Sequence, residues 1–209
     1  MSPVTLVLLV RHGQTRTTGV VLPGRRPGLH LSDAGLRQAE AVGRRIGKLS
    51  RVAAVYTSPL ERARETAAPI ARACRLTPRV ERGLLEIDIG AWAGLRIARA
   101  RRRKEWAIIE HHPSSFRFPG GESFTEMQAR LAATLGELVA RHPSQAVVAV
   151  SHADPIKAAV AHAAGVPLDL FQRIVIVPGS VTAIAYQSAA PLLLTLNSVD
   201  GDLTWLQAR

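Results

Sequence analysis

The sequence predicts an α/β fold, a three-layer α/β/α sandwich around a mostly parallel central sheet. Three observations carry this expectation. Short runs such as residues 4–10 and 145–150 are almost wholly apolar, as strands covered on both faces tend to be. Longer segments between them place apolar residues at helical spacing. The two kinds of segment alternate along the chain, which is the pattern of strand–helix–strand units.

Taken in order, residues 4–10 form a first strand. Residues 32–49 form a helix with Leu36, Ala39, Val42, Ile46 and Leu49 along one face. A second strand spans 52–57. A second helix spans 59–74, with Ser58 as N-cap, Pro59 in the first helical position and Glu61 closing an S-x-x-E box. Residues 78–94 are irregular, with a short strand near Val80. Residues 95–112 are expected to be helical, and "FPGGES" is a loop. A capping box from Ser123 to Glu126 opens a helix to Arg141. A strand follows at 145–150, and Asp154 and Pro155 open a helix reaching about Ala164. Residues 174–177, 181–186 and 192–197 complete the strands. No repeat or linker interrupts the pattern, so 1–209 reads as one domain, with 95–122 as a lid.

Composition narrows the function. The 209 residues are 47% hydrophobic, enough for a sizeable core. The formal net charge is +11, almost all from arginine, since lysine occurs only at Lys48, Lys104 and Lys157. The densest run is Arg99, Arg101, Arg102, Arg103 and Lys104. Aromatics are 4% of the chain and none interleaves with that run, so a solvated basic surface is expected rather than a nucleic-acid interface. Such a field would help collect anionic substrates. The single Cys74 allows no intrachain disulfide. The apolar start lacks a basic flank and is too short to span a bilayer, so a cytoplasmic protein without a membrane partner is expected. An apolar edge strand could support a homodimer.

Three strand ends carry chemistry. The first strand runs into Arg11-His12-Gly13. The second runs into Thr57-Ser58 and a helix whose first turn holds Arg62. The 145–150 strand runs into Ser151-His152 before another helix. Ligands of open α/β sheets bind at the carboxyl ends of strands, so two imidazoles and two guanidiniums should converge there. Helix N-termini add free N–H groups, and the sum is a pocket for a phosphoryl dianion. Gly13 would leave room for the ligand. His12 could donate to phosphate or attack phosphorus. For attack, one ring nitrogen must be bare and the other held by an acceptor, for which a backbone carbonyl near Gly13 is the candidate.

"LVRHGQT", "TSPLERARETA", "LLEIDIGAWAG", "PGGES" and "VSHAD" occur in this order. Together they resemble the histidine phosphatase superfamily, also called phosphoglycerate mutase-like. "PGRRPG" and "LDLFQRIV" resemble an actinobacterial phosphomutase-like subgroup of it. The resemblance implies His12 as nucleophile, Arg11 and Arg62 as phosphate-binding arginines, His152 as the second histidine and Glu86 as the acid/base. It also implies Gln14, Thr15, Thr18, Gly24, Arg25 and Ala153 on the substrate side. Thr18 stands where the family commonly has asparagine, and Ala93 where an acidic residue is usual. The implied activity is hydrolysis of a small phosphomonoester through a phosphohistidine, with no metal and no cofactor. A phosphomutase is the alternative, although the compact 95–122 segment and the short C-terminal end argue against it. A non-catalytic basic binding protein is the remote one. His152 and His162 lack partners at metal-site spacing.

Overall fold

A computed structural model describes residues 4–207. Six strands, β1 (Thr5–Arg11), β2 (Val52–Thr57), β3 (Arg79–Val80), β4 (Ala146–Ser151), β5 (Val181–Tyr186) and β6 (Leu192–Ser198), form one sheet in the order β3-β2-β4-β1-β5-β6. The pairs β1–β4, β4–β2 and β2–β3 are parallel, whereas β5 runs antiparallel to both β1 and β6. Successive residues of β1 go to opposite faces. Leu6, Leu8 and Val10 join one core, and Val7 and Leu9 the other. That two-sided burial is why the strand is apolar throughout.

Helices α1 (Asp33–Ile46) and α2 (Glu61–Cys74) cover the first face through Val42, Ile46, Ala67 and Ile70. The short helices α3 (Ile97–Ala100) and α4 (Lys104–His111) belong to a third cluster, described below. Helices α5 (Phe124–Arg141) and α6 (Ala153–Ala164) cover the second face through Leu131, Leu135, Ile156 and Val160. Ser123 accepts from the Glu126 N–H, and Glu126 accepts from the Ser123 N–H, so the expected capping box forms.

Four local expectations fail. The second helix begins at Glu61, not at 59. Ser58 is fully buried, and its hydroxyl faces His152 Nε2 at 2.8 Å instead of capping. Leu36 is 49% exposed, so the buried stripe of α1 is Ala39, Val42 and Ile46, continued by Leu49 beyond the helix end. Residues 95–112 form two helices rather than one, broken at 101–103, where the Arg103 guanidinium lies over the Trp92 ring at 5.0 Å. Residues 174–177 are extended but pair with no strand. The Val177 N–H goes to the Asn197 side chain, and the Ile176 carbonyl accepts from Arg11.

The third apolar cluster lies around Trp92, Phe116, Phe118, Phe124 and Phe171. Its rings meet edge-on at 5.0–5.9 Å, the favoured arrangement for aromatic quadrupoles. It anchors α3 and α4 through Ala100 and Ile109. No helix among the described residues is long and apolar enough to cross a membrane.

Candidate active site

Sheet register brings the chemistry together. Arg11 is level with Ser151, and Thr57 with Val150. The next residues out of the three strands, His12, His152 and Ser58, therefore stand side by side. The ladder continues one step further, with His12 N–H to the Ser151 carbonyl at 3.0 Å and Ser58 N–H to the Val150 carbonyl at 2.9 Å. The His12 and His152 rings lie 5.1 Å apart, nearly edge to face. Arg62 reaches in from the first turn of α2 and is fully buried, as is His152.

The His12 tautomer follows from its neighbours. Nδ1 lies 2.7 Å from the Gly13 carbonyl, which can only accept, so Nδ1 carries the proton. Nε2 keeps its lone pair and accepts from Arg62 Nε at 3.3 Å. Burial, then the Arg62 charge, pull its pKa down to about 3, so the ring is neutral at pH 7. Burial and the same cations hold His152 well below the usual imidazole range. Its tautomer also follows by accounting. The Ser58 hydroxyl proton has one acceptor in reach, His152 Nε2, so the ring proton belongs on Nδ1.

The Gly13 N–H donates to Thr66 Oγ1 at 3.0 Å. A Cβ at Gly13 would lie 2.5 Å from the Gly35 carbonyl, so the packing against α1 requires glycine there. Arg62 also donates to the Gly24 carbonyl at 2.9 Å, and Gly24 adopts φ +53°. Thr18 Oγ1 accepts from the Thr15 N–H at 2.9 Å and pairs with the Thr15 hydroxyl at 3.0 Å, so it shapes this loop. Gln14 is exposed, and Ala153 opens α6 beside His152.

Arg25 is tied to the loop that carries Glu86. Its Nε donates to the Glu86 carbonyl at 2.7 Å, and its Nη2 to Glu122 at 2.8 Å. Glu122 also holds Arg130 at 2.7 Å and the Asp88 N–H at 3.1 Å. Arg130 donates to the carbonyls of Gly83 and Leu85. These ties clamp the loop carrying Glu86. The Glu86 carboxyl accepts from the Ile87 N–H at 3.0 Å. Burial, then the Asp154 charge, push its pKa up to about 7, against the opposing pull of Arg62 and Arg11. Glu86 was legible in the sequence, whereas Ser58 as a partner of His152, and Glu122, Arg130 and Asp154, emerge only in the folded chain. Glu122 and Asp154 lie inside the quoted "PGGES" and "VSHAD", the only signal the sequence offered for them.

Three buried donors around His12 find no protein acceptor: Arg11 Nε, Arg62 Nη1 and His152 Nδ1. An anion with several acceptor oxygens satisfies that set. Among the described residues, no group of three or more His, Cys, Asp or Glu side chains is placed to hold a metal ion.

Sheet, paired histidines and paired arginines define a phosphoryl-binding α/β protein, and residues 7–199 match the histidine phosphatase superfamily (branch 1), so the chain belongs to that family. Phosphoserine phosphatase 1 of Hydrogenobacter thermophilus is 31% identical over 204 residues, covering 91% of each chain. A bifunctional protein of Mycobacterium tuberculosis is 35% identical over 158 residues, 73% of this chain. That alignment spans 42% of the longer relative. Among solved structures, mycobacterial glucosyl-3-phosphoglycerate phosphatase superimposes with a TM-score of 0.84 at 26% identity, over 93% of this chain and 99% of that one.

Proposed function

We propose that the protein is a phosphomonoesterase that works through a phosphohistidine. The observation that carries this is the unpartnered donor set of Arg11, Arg62 and His152 around a neutral His12 whose Nε2 keeps its lone pair. In the first half-reaction, His12 Nε2 attacks phosphorus in line as the P–O bond to the alcohol breaks. Glu86, protonated, gives its proton to the leaving oxygen. Arg11, Arg62 and His152 Nδ1–H offset charge on the equatorial oxygens, with no metal called for. In the second, Glu86 takes a proton from water as the water oxygen attacks phosphorus. The P–N bond breaks, and phosphate and the bare Nε2 are regenerated. The chain acts as one domain, with 95–122 forming the substrate-side wall. Relatives named for phosphoserine and glucosyl-3-phosphoglycerate support a small phosphomonoester as substrate.

The test is turnover of a generic aryl phosphate with acid-quench trapping of phosphorylated protein. Wild type should turn over and yield an acid-labile phosphoprotein, and His12→Ala should yield neither. Interconversion of 2- and 3-phosphoglycerate at rates above hydrolysis would replace this reading with the mutase. Inactivity toward every phosphoester, with retention of RNA at moderate salt, would replace it with the binding protein.

A further inference from the structure

Beside the phosphoryl site lies a second cavity, about 330 Å³ in volume. None of the catalytic side chains lines it, but two of its lining residues connect it to them. Asp154 lines the cavity, stands two positions beyond His152 in the first turn of α6, and acts electrostatically on both Arg11 and Glu86. Ile89 also lines it, and lies against Gly24, whose carbonyl holds Arg62.

The walls are apolar where they are deepest. Leu22, Ile109, Phe118 and Phe124 come from the third cluster and, except for the half-buried Leu22, are at most 5% exposed. The polar walls are paired with one another. Lys157 Nζ donates to Asp154 at 3.2 Å and to Gln172 at 3.0 Å. Trp106 Nε1 donates to Glu110 at 2.6 Å, and the Arg101 guanidinium lies over the Trp106 ring. Lys157 is paired with Asp154 and Glu110 is held by Trp106, while the cation of Arg101 is exposed, so the inner walls make no demand for an ionised substituent. Its volume equals that of about eleven liquid waters. A three-carbon alcohol would leave most of it to solvent, whereas a ring occupies far more of it and displaces water from apolar walls.

We propose that this cavity receives the alcohol moiety of the substrate, and that the alcohol is uncharged, ring-bearing and mainly apolar. The inference rests on the phosphomonoesterase reading. It distinguishes this chain from relatives named for small charged substrates such as phosphoserine.

The experiment compares kcat/KM for 2-phenylethyl phosphate and O-phosphoserine, both esters of primary alcohols, so that leaving-group reactivity does not decide the result. Inhibition by inorganic phosphate reports the phosphoryl site independently. Wild type should favour the phenylethyl ester by at least about tenfold, the scale on which apolar pockets discriminate. Leu22→Trp, which fills the cavity from its half-buried side, should abolish the preference while phosphate inhibition stays within about twofold. Trp106→Ala should weaken it in the same sense if the first variant does not fold. Equal rates, or faster phosphoserine turnover, would overturn the inference and leave the phosphomonoesterase standing. Hydrolysis of neither ester, nor of any aryl phosphate, would overturn both.

Discussion

Glu86 is the residue whose environment does most to set the pH behaviour. Its carboxyl titrates near 7 in the folded protein, and His12 near 3. Phosphorylation of His12 by an alkyl phosphate needs a protonated Glu86 and a neutral His12, so kcat/KM should fall above about pH 7. The same limb should vanish from the much slower Glu86→Gln enzyme, and a retained limb would assign it to another group. A stability effect of definite sign accompanies this. A carboxyl whose pKa is raised on folding favours the folded state below its unfolded value of 4.5 and opposes it as pH rises through 7. The opposing effect is at most roughly 3 kcal/mol, less for solvent screening at this half-buried group. Glu86→Gln should therefore gain stability over wild type at pH 8 and little at pH 5, read from urea midpoints. Ser58 acts one step back, through the tautomer of His152. Ser58→Ala should cost about 1–3 kcal/mol of transition-state stabilisation, as the loss of a buried hydrogen bond does. It should also move the imidazole nitrogen shifts of His152 toward mixed tautomers. Unchanged shifts would make Ser58 merely a packing residue.

At the scale of elements, the chain was readable where burial dictates composition. Strands at 52–57 and 181–186 match to the residue, because each is apolar but for one threonine and is followed by a polar residue. The Ser123 capping box was readable because its bonds are local. The failures are tertiary. Ser58 has a good capping sequence but is claimed by a histidine 94 residues away. Residues 174–177 have strand composition, yet their polar groups are taken by Arg11 and Asn197 rather than by a ladder. The break at 101–103 depends on Trp92, which no local pattern reveals. In the site, His12, Arg11, Arg62 and His152 were legible from strand ends alone, and Glu86 from resemblance. The clamp on Glu86 was not, since Arg25, Glu122 and Arg130 come from three separate segments. That clamp gives an element-scale prediction. Glu122 has a side-chain exposure of 16% and holds two arginines and a backbone N–H. Glu122→Ala strips Arg130 of its carboxylate and leaves Arg25 only the longer contact to Asp88 at 3.6 Å, and should lower stability by about 1–3 kcal/mol. It should lower kcat more than it raises KM, because the loop positions the proton donor and not the phosphate. A rise in KM with kcat intact would place the loop at the substrate instead.

At the scale of the whole molecule, charge rather than shape governs encounter. The chain carries 27 lysines and arginines against 16 acidic residues, and Arg99, Arg101, Arg102, Arg103 and Lys104 are all exposed on the segment beside the second cavity. None of the five forms an ion pair among those described, so their field is not cancelled locally. A phosphomonoester dianion approaching this end of the sheet meets attraction that extends over the Debye length. That length shrinks from about 30 Å at 0.01 M salt to about 8 Å at 0.15 M. Binding of the dianion should weaken over that range, and chemistry inside the buried site should not change. We therefore expect kcat/KM to fall several-fold between those ionic strengths while kcat holds nearly constant. Replacing Arg99, Arg102 and Lys104 together by glutamine should flatten the dependence and leave kcat in place, since none of the three lines the cavity or stacks on a ring. A salt response that survives this triple change would move the steering field to the other cations of the chain, which still carries a net charge of about +8 after the change.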